Sequence, residues 1–219
     1  RRRLWEATPH GFDEVLPRGH EGWAFWLQLA RLPLLPVKLT GTLTYYRYKR
    51  VSKMRLRAAE SPEVVRLLRT LFADLYPVRS LLIDHHALLQ PGGFSPQVRE
   101  QVPGRVAAFP RRAAPRLWAG LIAEAAGDLT AAAREYNASK QLAQPHDWQG
   151  SYRLWRALQL LPGAEAREVA RREEVALRAR WGGGLLRRRR GGGRTRPRSA
   201  GGAAEEQGGR STVSSVPAA

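Results

Sequence analysis

The sequence predicts an all-α protein made of antiparallel helical hairpins in a repeat-like array, followed by a disordered basic C-terminal tail. Three observations point there. From Ser61 onward, apolar residues recur at i, i+3, i+4 and i+7, the spacing that lines one face of a helix. Short turns containing Pro or Gly separate these segments, and helices joined that closely lie antiparallel. Small residues at Ala119, Gly120, Ala123, Ala132 and Ala133 would let two neighbouring axes approach closely. Composition divides the chain into residues 1–60, a loop plus an aromatic and basic interfacial segment; 61–181, a helical-repeat-like domain; and 182–219, a Gly/Arg-rich tail.

A chain of 219 residues is long enough for one domain with flanking segments and a real core. Cysteine is absent, which excludes disulfides, thiol catalysis and cysteine-ligated metals. The formal net charge of +18 favours an anionic partner. Apart from Lys38, Lys49, Lys53 and Lys140, every basic residue is arginine. With the abundant Ala, Gly and Pro, this is also what a GC-rich coding bias produces. The first residues are Arg1-Arg2-Arg3, with no initiator Met, so a trimmed start or a fragment is expected. No apolar run with a small-residue cleavage site follows. Were a transmembrane helix to precede residue 1, the arginine triplet would be its cytoplasmic flank.

Residues 1–21 read as loop, punctuated by Pro9, Gly11, Pro17 and Gly19. His10, Asp13, Glu14, His20 and Glu21 invite a metal-site reading, but their spacing does not place ligands on one helix face. A solvated loop is expected instead.

Residues 22–57 are the most unusual stretch. Trp23, Phe25 and Trp26 stand at one end; Tyr45, Tyr46 and Tyr48 stand at the other, followed by Lys49, Arg50, Lys53, Arg55 and Arg57. Two aromatic girdles with a basic flank resemble a membrane span of ~20 residues. Arg31 and Lys38 would each cost ~2.5–3.5 kcal/mol at the centre of such a helix, whereas each leucine returns only ~0.3–0.6 kcal/mol. Pro33, Pro36 and Gly41 interrupt it further. The expectation is therefore an interfacial segment, with Trp23, Phe25, Trp26, Tyr45, Tyr46 and Tyr48 among lipid headgroups and Lys49 and Arg50 on their phosphates. The alternative is that Trp23, Trp26, Leu27, Leu29, Leu34 and Leu35 pack into the protein.

Ser61-Pro62-Glu63 opens the first strongly periodic helix, with Ser61 as N-cap, and Tyr76-Pro77 ends it. Residues 78–89 form a second helix, stopped at Pro91-Gly92-Gly93. Within it, adjacent His85 and His86 point about 100° apart and cannot readily grip one ion, so one is expected to face a packed surface and the other solvent. Ser95-Pro96 starts a third, short helix ending at Pro103-Gly104, and a Pro/Arg-rich loop reaches Pro115.

Two helices at roughly 115–126 and 129–143 follow, with Gly127-Asp128 as their turn. Gly120, Gly127, Ala132, Tyr136 and Pro145 stand at places that resemble a tetratricopeptide repeat, over residues 115–145. The first helix departs from that pattern: its aromatic, Trp118, comes about two positions late, and Ala123 stands where a tyrosine is expected. The resemblance implies helix–turn–helix units stacked into a protein- or peptide-binding scaffold. A second hairpin follows at 148–181, with Trp148, Tyr152, Trp155, Leu158 and Leu161 on one face of its first helix. Val169, Val175 and Leu177 sit on a highly charged last helix that would cap the array. Trp118, Tyr136, Trp148 and Trp155 are candidates for either the core or a partner-binding groove.

The tail holds ten glycines and eight arginines and too few apolar residues to offset the entropy of ordering. Arg187, Arg188, Arg189 and Arg190 are candidate anion-binding residues for phosphates of nucleic acid or lipid. No P-loop ending in Gly-Lys-Ser/Thr and no Gly-x-Ser-x-Gly elbow occurs, and Ser95 is better explained as a helix cap. The sequence thus points to a non-catalytic helical scaffold for protein–protein interaction at a membrane surface, cytoplasmic and membrane-associated, with no cofactor. Its expected partners are a protein or peptide and an anionic membrane surface. Two alternatives stay open. One is the cytosolic portion of a larger membrane protein or membrane enzyme whose catalytic part lies outside this chain. The other is a nucleic-acid binder acting through the arginine tail.

Overall fold

The computed structural model describes residues 2–17, 21–33, 41 and 61–182, and among these described residues the regular structure is nine α-helices and one 3₁₀ turn. No strand occurs among the described residues, and the fold is all-α. In chain order the helices are α1 (Arg2–Glu6), α2 (Glu21–Ala30), α3 (Ser61–Leu71), α4 (Val78–Leu89), α5 (Pro96–Ala108), α6 (Ala113–Ala125), α7 (Leu129–Leu142), α8 (Gln149–Leu160) and α9 (Ala164–Trp181). The 3₁₀ turn, Ala73–Leu75, follows α3. Residue 1 and residues 18–20, including His20, together with 34–40, 42–60 and 183–219, lie outside the described residues. So do the expectations made for Tyr45, Tyr46, Tyr48, Lys49 and Arg50, for the tail, and for Arg187, Arg188, Arg189 and Arg190.

Local signals explain most boundaries. The Ser95 hydroxyl accepts from the Val98 N–H at 3.4 Å and Pro96 occupies the first turn, so α5 starts where a cap and a proline coincide. Asp128 accepts from the Ala131 N–H at 2.9 Å and opens α7. Between α6 and α7 only Ala126, Gly127 and Asp128 intervene. Gly127 takes φ +84°, a left-handed turn that suits glycine.

Two expectations are corrected. The third helix does not end at Pro103-Gly104; α5 runs through Pro103 to Ala108. Val98 and Val102, one turn apart, are both buried and hold it in place, while Pro103 is exposed, where water can serve the carbonyl that loses its partner. Residues 1–21 are also more than loop. They contain α1, and Val15 and Leu16 are buried in the main core.

Successive helices pack on one another: α6 on α7, α7 on α8, and α8 on α9; α4 and α5 both pack against α6. The core is one continuous cluster. It joins Leu67, Leu68 and Phe72 to Trp118, Leu121, Tyr136, Trp155 and Leu177, and takes in Val15, Leu16 and Ala24 from the N-terminal segment.

A chain of buried polar bonds ties four helices. The Trp118 indole N–H donates to the Thr70 hydroxyl at 2.8 Å, and that hydroxyl donates to the Leu67 carbonyl at 2.7 Å. The Gln149 amide N–H donates to the Thr70 carbonyl at 2.8 Å, and the Gln149 amide oxygen lies 2.9 Å from His85 Nε2. Because that oxygen can only accept, His85 carries its proton on Nε2, leaving Nδ1 buried without a hydrogen-bond partner. Burial pushes the His85 pKa down to about 3, with the nearby Arg153 charge acting in the same direction. His86, on the next position, is exposed, so the two imidazoles diverge as their 100° offset requires.

A second buried group joins α6, α7 and α8. Arg153 forms an ion pair with Glu124, both nearly withdrawn from solvent, and the Tyr136 hydroxyl donates to Glu124 at 2.6 Å. Burial works against the charge on Arg153, but neighbouring Tyr136 and Glu124 outweigh it and hold the guanidinium pKa above its usual value.

Candidate functional site

Two features of the described residues have the character of a site: a polar cleft and an exposed aromatic cluster. The cleft encloses about 700 Å³ between the N-terminal segment, the 3₁₀ turn and the ends of α6 and α7. Its polar wall includes His10, Asp13, Arg31, Asp74, Arg112 and Asp147. Two arginines close it by long-range pairing. Arg112 donates to the Asp13 carboxylate at 2.7 Å, and Arg31 holds both carboxylate oxygens of Asp74, with Nε donating at 2.8 Å. Gln28 bridges the loop beneath, donating to the Gly11 carbonyl at 2.9 Å and accepting from the His10 N–H at 3.1 Å.

The electrostatics follow from these partners. Burial pushes the Asp74 carboxyl up, but the hydrogen bond and charge of Arg31 outweigh it and leave its pKa below the ordinary value. Burial lowers the His10 pKa, and the Arg112 charge adds to the effect. Burial raises the Asp147 pKa, opposed by hydrogen bonds from Gln149. The cleft wall therefore carries two charge pairs, Arg112–Asp13 and Arg31–Asp74, beside the His10 and Asp147 side chains. The Asp13 carboxylate is paired with Arg112, and among the described residues no three His, Cys, Asp or Glu side chains are grouped to hold a metal.

The aromatic cluster is built by α1, the Gly11-Phe12 bend and α2. Phe25 is its hub: its ring centroid lies 5.3 Å from Trp5, 5.5 Å from Phe12 and 5.7 Å from Trp26. Trp5 meets Phe12 edge-on at 4.9 Å. Gly11 makes room for it, since a Cβ there would stand 2.7 Å from the Trp5 ring, and Gly11 has φ +54°. Helix α2 is two-faced. Ala24, Gln28 and Leu29 point inward, while Trp23 and Trp26 point outward. Trp5 is 44 %, Phe12 52 %, Trp23 45 % and Trp26 67 % exposed.

These positions sort the candidate residues. Trp118, Tyr136, Trp148 and Trp155 are all buried and belong to the core. Phe25 and Trp26 come together with Trp5 and Phe12, while Trp23 is exposed elsewhere on the same helix. Sequence reasoning missed Trp5 and Phe12, which stand in a stretch read as loop; their only signal was that large aromatics are unusual there. It also missed Arg31, Asp74 and Arg112, whose pairing depends on residues 43 and 99 positions apart. No helix among the described residues is long and apolar enough to cross a membrane. Set against known proteins, the chain matches no family model, no curated protein and no solved structure.

Proposed function

We propose that this protein is a non-catalytic helical scaffold that mediates protein–protein interaction at a membrane surface. The observation that carries the reading is a division among its aromatic residues. The core withdraws Trp118, Tyr136, Trp148 and Trp155, while Trp5, Phe12 and Trp26 are left exposed around Phe25. A cluster of large exposed rings on an otherwise well-packed protein is the usual mark of an interaction surface. The α6–α7 hairpin serves as a tetratricopeptide-type unit. That part of the reading is supported by the tight seating of Gly120 on Tyr136, the Gly127 turn and the buried Ala132. The polar cleft beside α6 receives the protein or peptide partner.

The test uses the full chain, because deleting residues 1–60 would strip Val15, Leu16 and Ala24 from the core. A photoreactive residue is placed at Ala114, on the cleft wall, or at Val175, exposed on α9. Cross-linking is carried out on membranes from the source cell. The reading expects a protein adduct from Ala114 that forms again with the purified partner and is absent from Val175. Adducts at neither position, or equally at both, would refute it.

A further inference from the structure

We infer that residues 13–17 fill, from within the chain, a peptide seat built by α5 and the start of α6, and that the partner taken by this seat is a peptide bearing an aspartate with aliphatic residues two and three places after it. This rests on the scaffold half of the function proposed above and names the chemistry of the partner. The segment forms no helix or strand of its own, yet it is held as a bound peptide is. Asp13, Val15, Leu16 and Pro17 are buried, while Glu14 among them is exposed. The Asp13 carboxylate accepts from Arg112 at 2.7 Å, and the Glu14 carbonyl accepts from Arg105 at 2.6 Å. Asp13 also accepts from the Val15 N–H at 3.2 Å, a local bond that bends the segment. Val15 and Leu16 join the same continuous core as Val98, Val102 and Leu117. Two arginines and an apolar recess thus read a carboxylate, a carbonyl and two aliphatic side chains, and they place no demand on the side chain at position 14.

The surroundings of the segment are those of a removable part. Hollows flank it on both sides: the cleft of about 700 Å³, lined by Asp13 and Arg112, and a second of about 440 Å³, lined by Phe12, Glu14, Leu16 and Arg105. A close-packed interior leaves no such spaces, so the seam between segment and helices is open at both edges. Neither α1 nor α2 packs broadly on another helix among the described residues, and anchorage rests chiefly on residues 13–17, Ala24 and the Arg31–Asp74 pair. Charge fits the occupant. From Gln101 to Ala123 the chain has four arginines and no acidic residue. Arg116 is paired with Glu135, while Arg111 and Arg112 line one hollow and Arg105 the other. Of the remaining acidic groups on the cleft wall, Asp74 is taken by Arg31 and Asp147 accepts from Gln149. Without its occupant the seat is cationic, complementary to an acidic peptide. An occupant tethered to its own seat has a high effective concentration, so a free peptide competes well only once the tethered one is loosened.

The deciding experiment titrates a fluorescein-labelled peptide of residues 9–17 into the full chain and follows its anisotropy. The proteins are the parent, the variant Val15→Ser/Leu16→Ser that loosens the built-in occupant, and that variant with Arg112→Met added; circular dichroism checks that each folds. Because a filled seat lowers apparent affinity, the loosened variant should bind at least about tenfold tighter than the parent. Adding Arg112→Met, or using the Asp13→Asn peptide, should weaken that binding about tenfold. Amide exchange in the isotope-labelled parent gives a readout that needs no variant: excess unlabelled peptide should speed exchange at Val15 and Leu16 of the protein, and the Asp13→Asn peptide should not. Peptide that binds all three proteins equally, or binds none and leaves exchange in the parent unchanged, would overturn the inference. A partner cross-linked at Ala114 alongside that result would leave the scaffold reading standing. A parent that sediments as a dimer and takes up no peptide would mean that another copy supplies the occupant, which would overturn the inference as well.

Discussion

Gly120 lies so close to Tyr136 that a Cβ on the glycine would stand 2.5 Å from the tyrosine ring. The ring cannot easily yield, because its hydroxyl is bound to Glu124 and the side chain is fully buried. Gly120→Ala is therefore expected to lower stability by ~1–3 kcal/mol through overpacking, less a helix-propensity gain of ~1 kcal/mol. Gly104, also inside a helix, has open space where its Cβ would go, and Gly104→Ala should raise stability by ~0.5–1 kcal/mol. Urea denaturation of the two variants should give shifts of opposite sign.

Arg153 and Glu124 are expected to behave as a buried pair. Removing either partner alone, by Arg153→Met or Glu124→Gln, leaves the other group poorly compensated and should cost ~3–5 kcal/mol. Replacing both with methionine should cost less than the two single changes together, since no isolated charge is left behind. A double-mutant cycle by chemical denaturation checks this.

His85 makes stability depend on pH. Its folded pKa lies near 3, below the ordinary 6.5, so the unfolded chain binds a proton in this range that the folded protein does not. Stability should fall as pH falls from about 7 toward 3, and between pH 7 and 5 the loss should be ~2 kcal/mol. Asp84 and Asp147 act in the opposite sense at lower pH, because burial raises both carboxyls. His85→Gln should flatten the difference between the two pH values, as read by urea midpoints; an unchanged slope would show that His85 does not titrate this way.

Arg112 is expected to hold the N-terminal segment down. Asp13 is almost fully buried, and Arg112→Met would leave its carboxylate without its cation. Hydrogen exchange at residues 13–16 should accelerate roughly 10–100-fold, the equivalent of ~1–3 kcal/mol, while exchange in α7 and α8 stays near the parent rate.

The helical plan was legible because it rests on local signals. Ser95 and Asp128 cap helices, Gly127 turns the chain between α6 and α7, and the 100° offset separates His85 from His86. Pro103 was misread because a local rule, that proline ends a helix, lost to the burial of Val98 and Val102. The site was far less legible. Trp23, Phe25 and Trp26 stood out through their density, but Trp5 and Phe12 join Phe25 only after the chain bends at Gly11. The cleft depends on Arg31 finding Asp74 and Arg112 finding Asp13, pairings that no spacing rule encodes. Trp118, Tyr136, Trp148 and Trp155 were ambiguous for a similar reason: helical periodicity places a ring on a face without saying which neighbour covers it.

The bond between Asp13 and Arg112 has a consequence in time. Synthesis adds roughly 5–20 residues per second, so a ribosome delivers Arg112 about 5–20 s after Asp13. Through that interval Val15, Leu16 and Ala24 lack Trp118 and the other α6 residues that complete their core. The aromatic rings of α1 and α2 are made well before α6 as well. The nascent chain thus offers these rings to its surroundings before α6 exists, and whatever receives them acts on a segment that has not yet been tied down.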